Sequence, residues 1–218
     1  LNHMKPVSTS PTATTFACYL PHHPIIKPDR KTTKLRVVFN ASNKSSNGNS
    51  LNDCLYVGPT LQADLVLLIL RWRLFRFVFN CDITQMYRQI RVDSSHTPFQ
   101  RILFRDSPTE DVKDYELQTV TFGVNCAPYL AIRTLLQLAD DSEKEYPLAS
   151  HILRKCMYVD DVLSGTHDIP TALHNYTVLA IKSNSTTVKQ RALNVALEHD
   201  DLQAALDIST HWVVQEPQ

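Results

Sequence analysis

The chain has 218 residues, 43% hydrophobic and 20% charged, with 22 basic against 22 acidic side chains and a formal net charge of zero. That length and apolar content suffice for one large domain or two small subdomains with a core, and the charge balance excludes a uniformly basic nucleic-acid binder. The longest aliphatic run, residues 65–70, stops at Arg71, far short of the roughly 18 apolar residues a membrane span needs, and no secretory signal opens the chain.

Residues 1–15 are polar and rich in Thr, Ser and Pro, which predicts a poorly ordered start. The prolines within residues 19–28 make that stretch extended, and residues 35–39 read as a short apolar strand. Residues 40–53, rich in Asn, Ser and Gly, predict an exposed loop. Thr60 is placed to cap a helix over residues 61–73, apolar on most of its surface and therefore expected to be buried. Phe75, Phe77, Phe79, Cys81 and Ile83 alternate with Arg76, Val78, Asn80 and Asp82, the period of a strand with one apolar face. Asp82 ends that strand and projects away from the apolar layer. Residues 99–104 and 115–122 predict two strands joined by the polar loop 106–114, and Pro128 starts a helix running through Leu138. Residues 153–158 and 162–164 predict a hairpin with Asp160 and Asp161 at its tip. Asp168 caps a further helix with Ala172, Leu173, Tyr176, Leu179 and Ala180 on one stripe, and residues 188–206 have helical spacing in an acidic composition.

The five cysteines, Cys18, Cys54, Cys81, Cys126 and Cys156, are scattered and never spaced as CxxC. They predict reduced intracellular thiols rather than a disulfide framework or a zinc site. Basic residues gather in Lys27, Arg30, Lys31, Lys34 and Arg36, while acid collects over residues 140–145 and 198–207. Charge alone does not separate a functional patch from solvated faces of opposite sign.

The sharpest signal is Tyr158-Val159-Asp160-Asp161 with apolar residues on both sides. Adjacent side chains of a continuous strand point to opposite faces, so neighbouring aspartates serve one site only at a tight turn. An isolated Asp pair is most often a solvated turn, and the apolar setting argues against that reading here. With Asp82 from a neighbouring strand, three carboxylates could hold two Mg²⁺ ions, which prefer hard oxygen ligands. Two such ions, about 4 Å apart, would activate an attacking hydroxyl and stabilise a departing pyrophosphate. Tyr87, five residues past Asp82, suits either a nucleotide pocket or a plain core position. His22 and His23 lack the Cys or acid partners of a metal site.

Cys81-Asp-Ile-Thr-Gln-Met-Tyr-Arg-Gln-Ile90 resembles the first catalytic motif of retroelement reverse transcriptases. Tyr158-Val-Asp-Asp161 resembles their third motif, and Thr121-Phe-Gly-Val-Asn-Cys-Ala-Pro128 the intervening one. Tyr19-Leu-Pro-His-His23, Leu35-Arg-Val-Val-Phe-Asn-Ala-Ser42 and Leu51-Asn-Asp-Cys54 look like the fingers of the Pao/BEL branch of LTR retrotransposons. The resemblance runs in order from near Tyr19 to near Ala172. It implies an α+β fold: a polymerase palm, an antiparallel sheet backed by helices, with an inserted fingers subdomain and the thumb missing. Residues 1–18 would be a disordered or linker segment, 19–74 fingers, 75–172 palm with returning fingers strands near 99–122, and 173–218 a divergent helical tail.

The implied activity is RNA-directed DNA polymerisation with Mg²⁺, or Mn²⁺ in its place, in an intracellular setting, a cytoplasmic particle or the nucleus. Asp82, Asp160 and Asp161 match the family's metal-binding carboxylates. Tyr87 matches the steric gate against a 2′-hydroxyl. Phe122 and Gly123 match the segment beneath the incoming nucleotide, where glycine permits close backbone approach. Arg36 matches the fingers arginine on the triphosphate, with Lys31 or Arg30 as helper, a planar guanidinium being suited to phosphate. The implied partners are a primed RNA or DNA template and deoxynucleotides; a helper subunit or a dimer could replace the thumb, and the sequence itself shows neither. Asn40 stands where this branch usually has Asp. Beyond Ala172 the pattern changes: no glycine follows Gly165, and nothing around Lys182 or Lys189 matches the family's glycine-turn lysine or primer-gripping hairpin. A C-terminally truncated or divergent reverse transcriptase is therefore expected. The rival is a non-catalytic remnant that binds nucleic acid or a partner without turnover, and an unrelated two-metal nuclease or phosphatase would need the motif order to be coincidence.

Overall fold

The computed structural model describes residues 3–7, 16–28, 35–83, 85–172, 174–175 and 211–214, the last by backbone only. In chain order the strands are β1 (Met4–Pro6), β2 (His22–Ile26), β3 (Leu35–Phe39), β4 (Phe77–Asp82), β5 (Arg101–Phe104), β6 (Lys113–Leu117), β7 (Met157–Tyr158), β8 (Asp161–Thr166) and β9 (His211–Val214). The helices are α1 (Leu65–Arg73), α2 (Met86–Gln89), α3 (Ala127–Ser142) and α4 (Pro147–Lys155). The fold is thus α+β, with small antiparallel sheets and few helices. Two compact units divide the chain: residues 1–60 with 85–131, and residues 61–84 with 132–218. The boundary falls within α3, after Ala131. No described helix is long and apolar enough to cross a membrane.

In the first unit, β2 and β3 form an antiparallel ribbon with His22 opposite Phe39 and Ile26 opposite Leu35. Pro24 sits within β2, and a strand of such a ribbon has a free edge where a residue without an N–H is tolerated. A second sheet runs β1-β6-β5. β1 replaces the poorly ordered start expected for part of residues 1–15, because Met4 pairs with Leu117 and Pro6 with Tyr115, a long-range match that local composition does not carry. The strands expected over 99–104 and 115–122 are shorter. Pro98 lies in a single 3-10 turn, Thr97–Gln100, and past Leu117 the Gln100 side-chain amide donates to the carbonyls of Leu117 (2.6 Å) and Thr119 (2.9 Å). Arg101 and Glu116 face each other across the sheet, with the guanidinium Nη2 2.7 Å from Oε1 and both side chains mostly buried. Thr97 donates to the other carboxylate oxygen at 2.9 Å, so this charge pair is fully partnered. The loop expected over 40–53 hides Ala41 and Ser50 and ends in a 3-10 turn, Asn52–Cys54.

In the second unit the sheet runs β7-β8-β4-β9, with β4 and β8 at its centre. Val78 and Phe79 are both buried (1% and 0% exposed) although they point to opposite faces, so mid-strand both faces are covered rather than one. Gly165 lies opposite Val78. A Cβ there would fall 2.6 Å from the Phe77 carbonyl and 2.7 Å from the Phe75 side chain. Gly165→Ala is therefore expected to wedge β8 from β4 and lower unfolding stability by about 1–3 kcal/mol, measurable as an earlier urea midpoint.

Helix α1 begins at Leu65, not at residue 61, because Asp64 rather than Thr60 caps it: its carboxylate accepts from the Leu67 N–H at 3.0 Å. The expected burial of this helix also fails. Only Leu68 is buried, while Val66, Leu67 and Leu70 are more than half exposed. The helix is anchored instead by Trp72, whose indole N–H donates to the carbonyls of Phe79 (3.2 Å) and Ser164 (3.0 Å), cross-strand partners on β4 and β8. α3 extends to Ser142, beyond the expected end at Leu138. α4 takes up Leu153, Arg154 and Lys155, which reduces the first arm of the predicted hairpin to two residues. The hairpin tip is Val159–Asp160, and Asp161 already belongs to β8. Asp168 caps as expected, accepting from the Thr171 N–H at 2.8 Å, and Ala172 is buried. Leu173, Tyr176, Leu179, Ala180 and residues 188–206 lie outside the described residues. Within the tail expected to be helical, His211–Val214 is a strand, paired with β4 from Phe77↔Val214 to Asn80↔His211.

Candidate active site

The carboxylates come together at one end of the second unit's sheet. Antiparallel pairing puts Asp82, last in β4, directly opposite Asp161, first in β8. Direct cross-strand partners have Cα atoms roughly 4.5–5.5 Å apart. Asp160 occupies the adjoining turn, and its carbonyl accepts from the Ile83 N–H at 2.9 Å, which ties the turn to the end of β4. Val159 is left-handed, φ 56. That conformation costs a β-branched residue about 1–3 kcal/mol and persists only where its surroundings impose it. Two clamps do so: the Leu163 N–H donates to the Cys156 carbonyl at 2.7 Å, and the Gln62 side chain bonds both Met157 and Val159.

Crowding of like charge shows in the acidities. Burial, then Asp160, then Asp161 push the Asp82 carboxyl up to about 6, and a hydrogen bond with Asp160 adds to this. Burial, then Asp160, raise Asp161 as well. Asp82 keeps contact with solvent, so the repulsion is screened rather than that of a sealed interior. Burial first, and then Asp82 and Asp161, push the Cys81 thiol up to about 12. It stays neutral near pH 7 and is no nucleophile.

Among the described residues, no group of three or more His, Cys, Asp or Glu side chains is arranged so that it could hold a metal ion. Mg²⁺ does not require one, since it is typically held by one or two carboxylates with waters and substrate phosphates completing the shell. The donor set is chemically apt: only hard oxygens are offered, and their mutual repulsion is what a cation would relieve.

The other expected residues lie in the first unit. Tyr87, on α2, is buried, with its ring 4.6 Å from that of Phe122 and tilted by 58°. The Arg36 guanidinium, on β3, lies 5.7 Å over the other aromatic, Phe122, a cation–π contact that holds the planar group in place. Gly123 has φ 93, and a Cβ would strike the Phe39 carbonyl. The turn is tied to residues 52–55 by two asparagines. The Asn52 amide donates to the Gly123 carbonyl (3.0 Å) and accepts from the Asn125 N–H (2.9 Å), while the Asn125 amide donates to the Asn52 carbonyl (2.8 Å). So Tyr87, Phe122, Gly123 and Arg36 form one cluster, and Asp82, Asp160 and Asp161 another. Lys31 and Arg30 lie outside the described residues.

Asn52, Asn125 and Gln62 are residues that sequence reading did not single out for a role. Asn52 and Asn125 stand inside quoted motifs, Leu51–Cys54 and Thr121–Pro128, but residue type does not reveal a clamp. The Asn40 amide oxygen accepts from the Ser42 N–H at 3.2 Å, a local turn bond. His22 packs its ring 6.0 Å from Phe39.

No protein-family model and no curated protein sequence matches the chain. Among solved structures it is similar to the protease-reverse transcriptase of Prototype Foamy Virus, with a TM-score of 0.54 at 14% identity over 83% of this chain. The likeness covers 20% of that longer chain and, at this identity, is a likeness of fold.

Proposed function

We propose that the chain is the RNA-directed DNA polymerase core of a Pao/BEL-type retroelement, with Asp82, Asp160 and Asp161 as its palm carboxylates. The observation that carries this reading is the Asp82–Asp161 cross-strand pair with Asp160 on the adjoining turn, in a fold similar to that of a viral protease-reverse transcriptase. The motif order along the sequence supports it. In the proposed step, a primer 3′-oxygen attacks the α-phosphorus of a deoxynucleoside triphosphate. A new phosphorus–oxygen bond forms, the α–β bond breaks, pyrophosphate leaves, and the hydroxyl proton passes to solvent. Asp82, Asp160 and Asp161 would hold two Mg²⁺ ions. When bound, Mg²⁺ lowers the pKa of the attacking hydroxyl and takes up charge on the phosphates.

The protein's own groups do the rest. Arg36, held over Phe122, would meet the triphosphate, with Lys31 or Arg30 as its helper. Phe122 and Gly123 form the floor under the incoming nucleotide, kept in place by Asn52 and Asn125. Tyr87, braced by Phe122, blocks a 2′-hydroxyl. Sugar selection on a primed RNA template tests this assignment. Tyr87→Ala is expected to reduce the preference for deoxynucleotides over ribonucleotides by roughly 100-fold while incorporation of deoxynucleotides persists. An unchanged preference would remove Tyr87 from the pocket.

A further inference from the structure

We infer that Gln62 is a positioning residue that holds the strained Val159–Asp160 turn and thereby sets where the carboxylates stand. Strand β7 is the edge of its sheet, so among the described residues the outward carbonyl of Met157 and N–H of Val159 have no strand to pair with. The Gln62 side chain supplies both partners: Nε2 donates to the Met157 carbonyl at 2.9 Å, and Oε1 accepts from the Val159 N–H at 2.9 Å. A carboxamide is the side chain that offers a donor and an acceptor two bonds apart, as a neighbouring peptide would. In effect one side chain replaces a strand, beside the residue whose backbone is left-handed.

The clamp stands on a fixed support. Two residues on, Asp64 caps α1, and Trp72 of that helix bonds the carbonyls of Phe79 and Ser164 on the two central strands. Leu61, Leu153 and Ile132 line the space around Gln62, Met157 and Val159, so the two bonds lie in a partly buried, largely aliphatic setting. The turn is therefore held from two sides, by Gln62 at the sheet edge and by Ile83 at the Asp160 carbonyl. Without Gln62, Val159 is free to relax toward negative φ, and Asp160 shifts relative to Asp82. Gln62 touches no reacting atom in this scheme.

The consequence for metal rests on the polymerase reading; the clamp itself does not. The test uses the full 218-residue chain, without template or nucleotide. Amide exchange at Val159 is followed by NMR, and Mn²⁺ binding by electron paramagnetic resonance, in wild type, Gln62→Met, Gln62→Glu and Asp160→Asn/Asp161→Asn. Gln62→Met is expected to speed Val159 exchange and weaken Mn²⁺ binding by about 10-fold or more, with the Val78 and Phe79 amides unchanged. Gln62→Glu keeps the acceptor and loses the donor, so it should fall between, and it carries the test if Gln62→Met fails to fold. Unchanged Val159 exchange in a folded variant would overturn the clamp, and faster exchange with unchanged Mn²⁺ affinity would overturn the positioning role. Equal Mn²⁺ binding by wild type and the double asparagine variant would instead overturn the metal assignment, with Val159 exchange still deciding on the clamp.

Discussion

Asp82→Asn is expected to abolish nucleotide incorporation, by 1,000-fold or more on the scale of lost electrostatic stabilisation, and at the same time to make the metal-free protein more stable at neutral pH. Both effects come from one arrangement. Asp82 ends β4 opposite Asp161 and beside Asp160, which with burial push its carboxyl up to about 6. A raised carboxyl pKa means that folding favours the protonated form. The stability this contributes is fully present below the unfolded carboxylate pKa and is lost as pH rises through about 6. Without divalent cation, the wild type should therefore gain thermal stability relative to Asp82→Asn as pH falls from 7 toward 4. At pH 7 the variant should be ahead by about 1 kcal/mol after allowance for solvent screening, or roughly 2–4 °C in Tm. Mg²⁺ should stabilise the wild type and not the variant. Thermal scans at several pH values, with and without Mg²⁺, check this; a variant less stable than wild type at pH 7 in chelator would show that repulsion does not govern the cluster.

Gly123→Ala is expected to cost about 3 kcal/mol or more, because two independent penalties act at one position. Its φ of 93 lies where only glycine is unstrained, and its Cβ would meet the Phe39 carbonyl, part of the β2–β3 ribbon rather than a side chain that can turn away. Displacing Gly123 to avoid that carbonyl also disturbs Asn52, which bonds the Gly123 carbonyl and the Asn125 N–H. The loss should appear in the first unit, as faster amide exchange along β2 and β3, with β4 and β8 of the second unit little changed. Gly48 offers the control. It too has positive φ, 83, but nothing lies within 4 Å of an added Cβ, so Gly48→Ala should show the conformational penalty alone.

What the sequence revealed and what it concealed divide along physical lines. Strand β4 was legible because period-two alternation is a local signal, and so was Asp168, since a capping carboxylate acts within a few residues. Asp64 was missed in favour of Thr60: both residue types cap, and only the path of the chain chooses between them. The burial of α1 was misjudged because apolar content was read as contact, whereas the helix presses one residue, Leu68, into the core and leaves Val66, Leu67 and Leu70 exposed. Strands β1 and β9 owe their existence to partners more than a hundred residues away, β6 and β4, and no window of local sequence carries such pairing. That Asp82 and Asp161 would stand together was legible from the strand alternation and the Asp160-Asp161 turn. The left-handed Val159 was not, since a β-branched residue is among the last expected there. Gln62 was equally hidden, because its role depends on a hairpin nearly a hundred residues further on.

The most direct test of the proposed chemistry is primer extension on a primed RNA template with Mg²⁺ and deoxynucleotides, comparing the wild type with Asp160→Asn/Asp161→Asn. The three-carboxylate account predicts extension by the wild type and none by the variant, at equal binding to the primed template. Salt-sensitive binding by both proteins with extension by neither would contradict it and identify a nucleic-acid-binding module that keeps the fold without the reaction.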